Sequence, residues 1–196
     1  MTSTRHNAYL DAARESILEV GLKRTTLTDV ARRAGVSRMT IYRAWPDMQT
    51  LLADLMTREW AGLATADPAP EGDAPTPEQI AGEVVAAIRA LRSNPLFRRV
   101  LDLDVELLLP YLFDRRGRSQ QVIVAALAAR ITQGQEAGRV RQGDPEALAR
   151  TVVLASHGLA LSVQTMTEPD SPDASGLSET GLVATFADLL AGGLAP

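Results

Sequence analysis

Residues 26–45, TLTDVARRAGVSRMTIYRAW, constrain the fold more than any other part of this chain. Thr26, followed three residues later by Asp29, is an N-terminal capping pattern, which supplies a side-chain oxygen to free backbone amides and an acid at the positive end of a helix. Three apolar residues then follow with helical spacing, Val30, Ala31 and Ala34. The first half of the segment therefore predicts a short helix with one apolar face.

The second half of the segment predicts another helix, reached through a tight turn. Gly35 follows the last helical residue, where the chain commonly needs a left-handed conformation that glycine adopts at little cost. Ser37 is a favourable N-cap for the next helix. Ile41 and Trp45, spaced four residues apart, would bury that helix against the first. Two short helices joined in this way form a helix-turn-helix.

In a helix-turn-helix the second helix lies in the major groove of DNA, and its outward side chains contact the bases. The side chains predicted to point outward here are Arg38, Met39, Tyr42 and Arg43. An arginine fork can pair with guanine O6 and N7 or with phosphate. On an ordinary exposed helix, solvated surface arginines would be the better explanation. On the exposed face of a recognition helix, we predict DNA contact.

The connected pattern resembles the TetR family of transcriptional regulators. The stretch GVSRMTIYRAWPDMQTLL, residues 35–52, is similar to that family's recognition helix and following helix, and NAYLDAARESILEVGLKRTTLTDVARRAG, residues 7–35, to its first two helices. The resemblance covers about a quarter of the chain. It implies a homodimer that binds a palindromic DNA operator and is released when a small molecule enters its C-terminal domain.

We predict that DNA contacts come from both helices of the pair, at Thr26, Thr28, Ser37, Arg38, Met39, Thr40, Tyr42 and Arg43. The resemblance implies that Tyr42 packs its ring and offers its hydroxyl to a phosphate. Met39 either touches a thymine methyl or is simply exposed. Arg5 and His6 are expected in a disordered terminus, with an arm for the minor groove as the alternative.

One position departs from the family pattern. The family commonly carries a lysine at the start of helix four, where it meets the phosphate backbone. This chain has Met48 there, preceded by Asp47. The departure implies either that a phosphate contact is lost or that other groups, such as the N-terminal amides of helix four, supply it.

The remaining periodicity predicts an all-α fold without internal repeats. Besides the helix-turn-helix pair, helices are expected at about 6–20, 47–64, 77–93, 119–137, 145–167 and 177–192, and Pro46 stands at the start of the second of these. One or two further helices, interrupted by Pro110, are expected over 95–113. Loops are expected at 65–77 and 168–176. We expect a helix-turn-helix DNA-binding domain of three helices at 1–46. A helical ligand-binding and dimerisation domain is expected at 47–196, connected through helix four at about 47–64.

Two tasks fall to the C-terminal domain. Segments 145–166 and 177–192 are the candidate dimer helices, because the first is apolar over more of its circumference than one monomer core needs. The alternative is burial of both within one monomer. The resemblance implies a ligand pocket among helices four to seven, with candidate contacts at Trp60, Phe97, Leu101, Leu108, Tyr111 and Phe113, and a further candidate at His157. Each of these residues would otherwise be ordinary core, and the sequence does not identify the ligand.

Composition argues against several other classes of protein. The chain has no cysteine, which excludes disulfide bonds and thiolate chemistry. It has two histidines, too few for an ordinary zinc site. We therefore expect no metal site, no cofactor and no catalytic residues. No apolar run approaches the roughly 20 residues that span a bilayer, and the N-terminus does not read as a signal peptide, so we expect a cytoplasmic protein. The net charge of −4 divides into +2 over residues 1–60 and −6 over residues 61–196, which fits a DNA-binding segment joined to an acidic remainder.

Three functions therefore compete. The leading prediction is a homodimeric repressor whose DNA binding responds to a ligand. An activator or a ligand-insensitive regulator with the same fold is the second. A helical enzyme or adaptor that does not bind DNA is the third. Its candidate carboxylate pairs, Glu78 with Glu83 and Asp102 with Asp104, are more simply explained as a solvated face.

Overall fold

A computed structural model describes residues 2–62, 74–168 and 177–196, and within these ranges the chain is helical with no β-strand. The predicted all-α fold is confirmed. The helices are α1 (Thr2–Val20), α2 (Leu27–Arg33), α3 (Arg38–Ala44), α4 (Met48–Met56), α5 (Pro77–Ser93), α6 (Pro95–Leu103), α7 (Leu109–Phe113), α8 (Arg118–Glu136), α9 (Pro145–Ser162) and α10 (Glu179–Leu194). A π-helical turn, Thr57–Ala61, continues α4, and 3-10 turns follow α6 at Val105–Leu107 and α9 at Val163–Met166. The predicted loops at 65–77 and 168–176 lie largely outside the described residues.

The chain divides into two compact units. The first unit comprises Met1–Ala61 with Ser93–Gln120, and the second comprises Gly62–Arg92 with Gln121–Pro196. The first unit thus contains the predicted DNA-binding segment together with α4, α6 and α7. The functional division at residue 46 stays a prediction.

The core of the first unit is formed by side chains from α1, α2, α3, α4 and α6. Those with no exposed surface are Ala13, Ile17, Val30, Ile41, Trp45, Leu51, Leu55 and Leu96. Burial of this kind is worth about 1.5–3 kcal/mol for each large aliphatic side chain. The short helices α2 and α3 are therefore held in place by tertiary packing, since isolated helices of seven residues are not stable in water.

The second unit has its own core, contributed by α5, α8, α9 and α10 and by the turn after α8. Its buried residues are Ile80, Val124, Leu127, Ile131, Val140, Ala149, Val152 and Leu194. Asp144 caps α9 by accepting a hydrogen bond from the Glu146 amide at 2.9 Å, and Pro145 occupies the first helical position, as the sequence predicts.

Three predicted helix boundaries are wrong. Helix α1 begins at Thr2 instead of residue 6. Helix α4 begins at Met48, so Pro46 precedes the N-cap and is not the first helical residue. The break in the stretch 95–113 falls at Asp104, while Pro110 lies in the first turn of α7, where its missing amide needs no partner.

No described helix is long and apolar enough to cross a membrane. Within the same ranges, no three His, Cys, Asp or Glu side chains are grouped as a metal site would require.

Candidate nucleic-acid interface

Helix α2 begins with a reciprocal cap. The Asp29 amide donates to Thr26 Oγ1 at 3.2 Å, and the Thr26 amide donates to Asp29 Oδ2, also at 3.2 Å. The hydrogen bond from the Thr26 hydroxyl holds the pKa of Asp29 below its ordinary value. The predicted capping pattern is confirmed, and it leaves the Thr26 side chain exposed at the positive end of α2.

The turn between α2 and α3 depends on Gly35. Its φ of +67° lies in the left-handed region, where a side chain would strain the backbone. The Val36 amide donates to the Ala31 carbonyl at 3.0 Å, which closes the turn. Ser37 then caps α3, with Oγ accepting from the Thr40 amide at 3.2 Å. The turn therefore sets the direction in which α3 leaves α2.

Helix α3 has one buried and one exposed face, as predicted. Ile41 and Trp45 have no exposed surface. On the opposite face Met39 is 64% exposed and Tyr42 is 46% exposed, while the exposed arginines are Arg38 and Arg43. The other predicted contact residues lie on the same helix pair, with Thr26 and Ser37 exposed and Thr28 and Thr40 half-buried.

The two arginines of α3 differ from those of α2 in their partners. Arg32 pairs with Asp29 at 2.9 Å. Arg33 pairs with Glu19 and, at 3.5 Å, with Glu15. Neither Arg38 nor Arg43 has an acidic partner in the part of the chain that the structure describes. The exposed face of α3 therefore carries two guanidinium groups available to an external anion.

The start of α4 shows a role for Asp47 that the sequence analysis missed. Asp47 Oδ1 accepts from the Thr50 amide at 2.7 Å and from the Thr50 hydroxyl at 2.8 Å, so this acid is the N-cap of α4. These hydrogen bonds hold the pKa of Asp47 below its ordinary value. Met48, at the position of the expected lysine, is half-buried and packs against the core of the first unit.

Helix α1 supports the end of α3. The ring of His6 lies 4.4 Å from the ring of Trp45, and Tyr9 meets Trp45 edge-on at 6.4 Å. The expectation of a disordered terminus at Arg5 and His6 is therefore wrong, because both residues belong to α1. The ring packing holds His6 against α3, whereas Arg5 is exposed.

The π-helical turn after α4 places Glu59 among three donors. Glu59 accepts from Arg14 at 3.2 Å, from Arg58 at 2.9 Å and from Asn94 at 3.3 Å. Burial alone would raise the pKa of Glu59, but the hydrogen bonds from Arg58 and Asn94 and the charge of Arg14 bring it below its ordinary value. This cluster joins the end of α4 to α1 and to the N-cap of α6.

The predicted ligand contacts fall in several environments. Trp60 meets Phe97 edge-on at 5.7 Å, and its buried Nε1 has no hydrogen-bond partner among the described residues. Phe97 and Leu108 are buried, Leu101 and Tyr111 are half-buried, and Phe113 is 79% exposed. The guanidinium carbon of Arg115 lies over the Tyr111 ring, 5.3 Å from the ring centroid. The structure therefore joins Trp60 with Phe97 and leaves Phe113 on the surface.

His157 lies apart from these residues in the chain, on α9 of the second unit. It is half-buried, and burial lowers the pKa of its imidazole. Helices α9 and α10 also expose large apolar side chains, at Leu154 (68%) and Leu189 (71%). The single chain therefore does not bury the whole apolar surface of the two predicted dimer helices.

Comparison with known proteins gives a consistent result. The family model described as bacterial regulatory proteins, tetR family, matches residues 10–55. An uncharacterized HTH-type transcriptional regulator of Mycobacterium bovis is 39% identical over 145 residues, which is 74% of this chain and 74% of that relative.

Two solved structures are similar over nearly the whole chain. The transcriptional repressor QsdR of R. erythropolis, from the TetR family, has a TM-score of 0.70 at 17% identity and covers 99% of this chain and 96% of its own. The transcriptional regulator FadR from Bacillus subtilis, solved in complex with stearoyl-CoA, has a TM-score of 0.60 at 18% identity and covers 95% and 98%. At such identities these two likenesses show the fold alone.

Proposed function

Because the chain belongs to the TetR family of transcriptional regulators, which are not enzymes, we propose that it is a repressor that binds a palindromic operator as a homodimer and leaves it when a small molecule binds. DNA binding through a helix-turn-helix is the established part of this function. Repression, the operator's symmetry and the response to a ligand are the proposed part. We also propose a cytoplasmic location, where such a regulator meets its DNA.

The observation that carries the proposal is the exposed face of α3. Arg38 and Arg43 have no acidic partner among the described residues, and they lie on a short, N-capped helix whose inward side chain, Ile41, is fully buried. We propose that they contact bases or phosphates, and that Met39 and Tyr42 contact DNA beside them. The hydroxyls of Thr26 and Ser37 lie at helix N-termini, where the free backbone amides favour a phosphate group. The other proposed DNA contacts on this helix pair are Thr28 and Thr40.

A mobility-shift assay with the duplex upstream of the protein's own gene tests DNA recognition. We expect a retarded band with this duplex and none with a shuffled duplex of equal length and composition. Equal retardation of both duplexes would contradict sequence-specific binding. Deletion of the gene should then raise transcription from a bound promoter, whereas a fall would identify an activator.

We propose that the dimer forms through α9 and α10. Leu154 and Leu189, one on each of these two helices, are exposed in the single chain, so their side chains are available to a second copy. Ala155 and Gly158 are exposed on α9 near Leu154, and their small size permits close approach of another helix. The resemblance implies that two such helices from each subunit form a four-helix bundle.

We propose that an inducing ligand contacts Trp60 and Phe97. A buried N–H without a partner costs about 1–3 kcal/mol, and an acceptor on a ligand would remove that cost. This favours an apolar molecule that carries a carbonyl or ether oxygen. The other proposed contacts are Leu101, Leu108, Tyr111 and Phe113, and His157 in the second unit is kept as a separate candidate.

Reciprocal coupling tests the ligand response. A compound that binds and releases the operator should bind the DNA-free protein more tightly than the DNA-bound protein, by the same factor by which it weakens DNA binding. The dimer should remain intact when the compound binds. A compound whose affinity is indifferent to operator DNA is not an inducer, and a regulator without any such compound would be ligand-insensitive.

A further inference from the structure

The carboxylate of Asp54, in the last turn of α4, is contacted by side chains from three other helical segments. Trp45 Nε1 donates to Asp54 Oδ2 at 2.8 Å. The guanidinium of Arg118 pairs with Oδ1. His6 Nε2 lies 3.6 Å from Oδ2. Because the Asp54 side chain is only 22% exposed, these contacts define most of its surroundings.

The first of these contacts concerns the end of the recognition helix. Trp45 is the C-cap of α3, and its amide donates to the Ile41 carbonyl at 2.8 Å. Its indole is fully buried, so the N–H needs an acceptor inside the protein, and Asp54 supplies it. The hydrogen bond therefore links the Asp54 carboxylate of α4 directly to the residue that ends α3.

The second contact ties the same carboxylate to α8. Arg118 is the first residue of α8, and its side chain is 57% exposed. An ion pair this open to solvent contributes little to folding stability. Its effect is geometrical, because Arg118 engages Oδ1 while the indole engages Oδ2, which favours one orientation of the carboxylate.

We propose that Asp54 is a positioning residue for DNA recognition, and that Arg118 holds its carboxylate in the orientation that fixes Trp45 and the end of α3. The proposal rests on the proposed DNA contacts of α3. It goes beyond them in making sequence-specific binding depend on a residue of α8. The competing explanation is that Asp54 and Arg118 only stabilise the fold.

Four single variants and one double variant, Asp54→Asn with Arg118→Gln, separate these explanations. Asp54→Ala removes all three contacts, and Asp54→Asn keeps an oxygen for the indole but loses the charge that attracts Arg118. Arg118→Gln removes the ion pair alone. Arg116→Gln is the matched control, because it removes one exposed positive charge from the segment just before α8.

The readout is affinity for the upstream duplex and for the shuffled duplex. We expect Asp54→Ala to lose about tenfold in affinity for the upstream duplex and to keep its affinity for the shuffled one. Asp54→Asn and Arg118→Gln should each lose about threefold, and the double variant should lose no more than either, since both remove the same interaction. Arg116→Gln should change both affinities alike. Equal losses on both duplexes for the Asp54 variants would overturn the proposal.

A measurement without DNA completes the test. The chain has two tryptophans, so the ¹⁵N–¹H spectrum of the free protein contains two indole resonances, and Trp60 serves as the internal reference. Arg118→Gln should move the Trp45 resonance and leave that of Trp60, whereas Arg116→Gln should move neither. An unmoved Trp45 resonance would overturn the inference, whereas failure of the wild-type protein to retard any duplex would overturn the proposed DNA contacts.

Discussion

Individual arginines of the helix-turn-helix differ in whether a carboxylate of the described chain pairs with them. Arg32 and Arg33 are paired with carboxylates of their own unit, and a phosphate would have to compete for them. Arg38 and Arg43 have no such competitor among the described residues, and both are exposed. An external anion that binds Arg38 or Arg43 therefore does not have to displace a carboxylate of the described chain.

The first prediction concerns these two arginines. Arg38→Ala and Arg43→Ala should each weaken binding to the upstream duplex by about 1–3 kcal/mol if the side chain makes a bidentate base contact. Affinity for a shuffled duplex should fall less. Fluorescence titration measures both affinities, with Arg116→Ala, an exposed arginine between α7 and α8, as the control. Folded, dimeric variants with unchanged operator affinity would show that α3 presents a different reading face.

The second prediction concerns Met48. Because Met48 is half-buried, a lysine there can lay its stem along the same apolar surface and extend its ammonium to solvent. Met48→Lys should raise affinity for any DNA sequence and steepen the salt dependence by about one unit per added phosphate contact in each subunit. Gln133→Lys adds the same charge on α8 and is the control. An unchanged salt slope would place residue 48 away from the DNA backbone.

At the scale of the element, local capping explains why the helix-turn-helix could be predicted from sequence. Thr26, Gly35 and Ser37 each act on backbone groups within a few residues, so their effect does not depend on the rest of the fold. The alternation of buried and exposed positions on α3 follows from the spacing of Ile41 and Trp45 for the same reason.

The elements that sequence reasoning missed depend on partners distant in the chain. Asp104 ends α6 because its buried carboxylate accepts from the Leu22 amide at 3.1 Å, just after α1. Periodicity cannot reveal that contact, and Pro110 was the more conspicuous break. The Asp54 cluster has the same origin, since His6 and Arg118 are brought together only by the fold.

The third prediction tests the cap of α4. The folded-state pKa of Asp47 is lowered, so its contribution to stability is present above the ordinary pKa of 3.8 and is lost as the pH falls through the folded-state value. Asp47→Ala should therefore lower the Tm at neutral pH, and the difference from wild type should shrink on acidification below about pH 4. Asp47→Ser, which keeps an acceptor for the Thr50 amide, should lose less at neutral pH.

Calorimetry at several pH values between neutral and acid measures the difference in Tm between wild type and Asp47→Ala. Asp102→Ala, which removes an exposed carboxylate of α6 without a capping role, is the control. A difference between wild type and Asp47→Ala that stays constant or grows on acidification would contradict the assignment of Asp47 as an ionised cap.

For the protein as a whole, the proposed function requires two copies of the chain. A palindromic operator presents two half-sites, and a twofold dimer presents two recognition helices. The single chain leaves Leu154 and Leu189 exposed, so the apolar surface of α9 and α10 is available to a second copy. Sequence could predict these two helices as apolar, but only the structure separates the side chains buried in the monomer from those left outside.

The fourth prediction concerns Leu189, which the single chain leaves exposed. Leu189→Glu should raise the dimer dissociation constant by about tenfold or more, because the charge would be buried between subunits. It should leave the fold of the subunit intact, since Leu189 is 71% exposed in the single chain. Ala137→Glu, at an exposed position after α8, should leave the dimer unchanged. Sedimentation checks both variants, and a Leu189→Glu protein that remains fully dimeric would place the interface elsewhere.

A hydroxyl-radical footprint of the wild-type protein on its upstream DNA tests recognition by a symmetric pair of α3 helices. Two recognition helices entering the major groove as a symmetric pair should protect two stretches related by a dyad, with centres about one helical turn or a multiple of it apart, roughly 34–36 Å per turn. Protection should vanish with the Arg38→Ala, Arg43→Ala double variant at the same protein concentration. A footprint without dyad symmetry, or one that persists in the double variant, would contradict recognition by the exposed face of α3 in a homodimer.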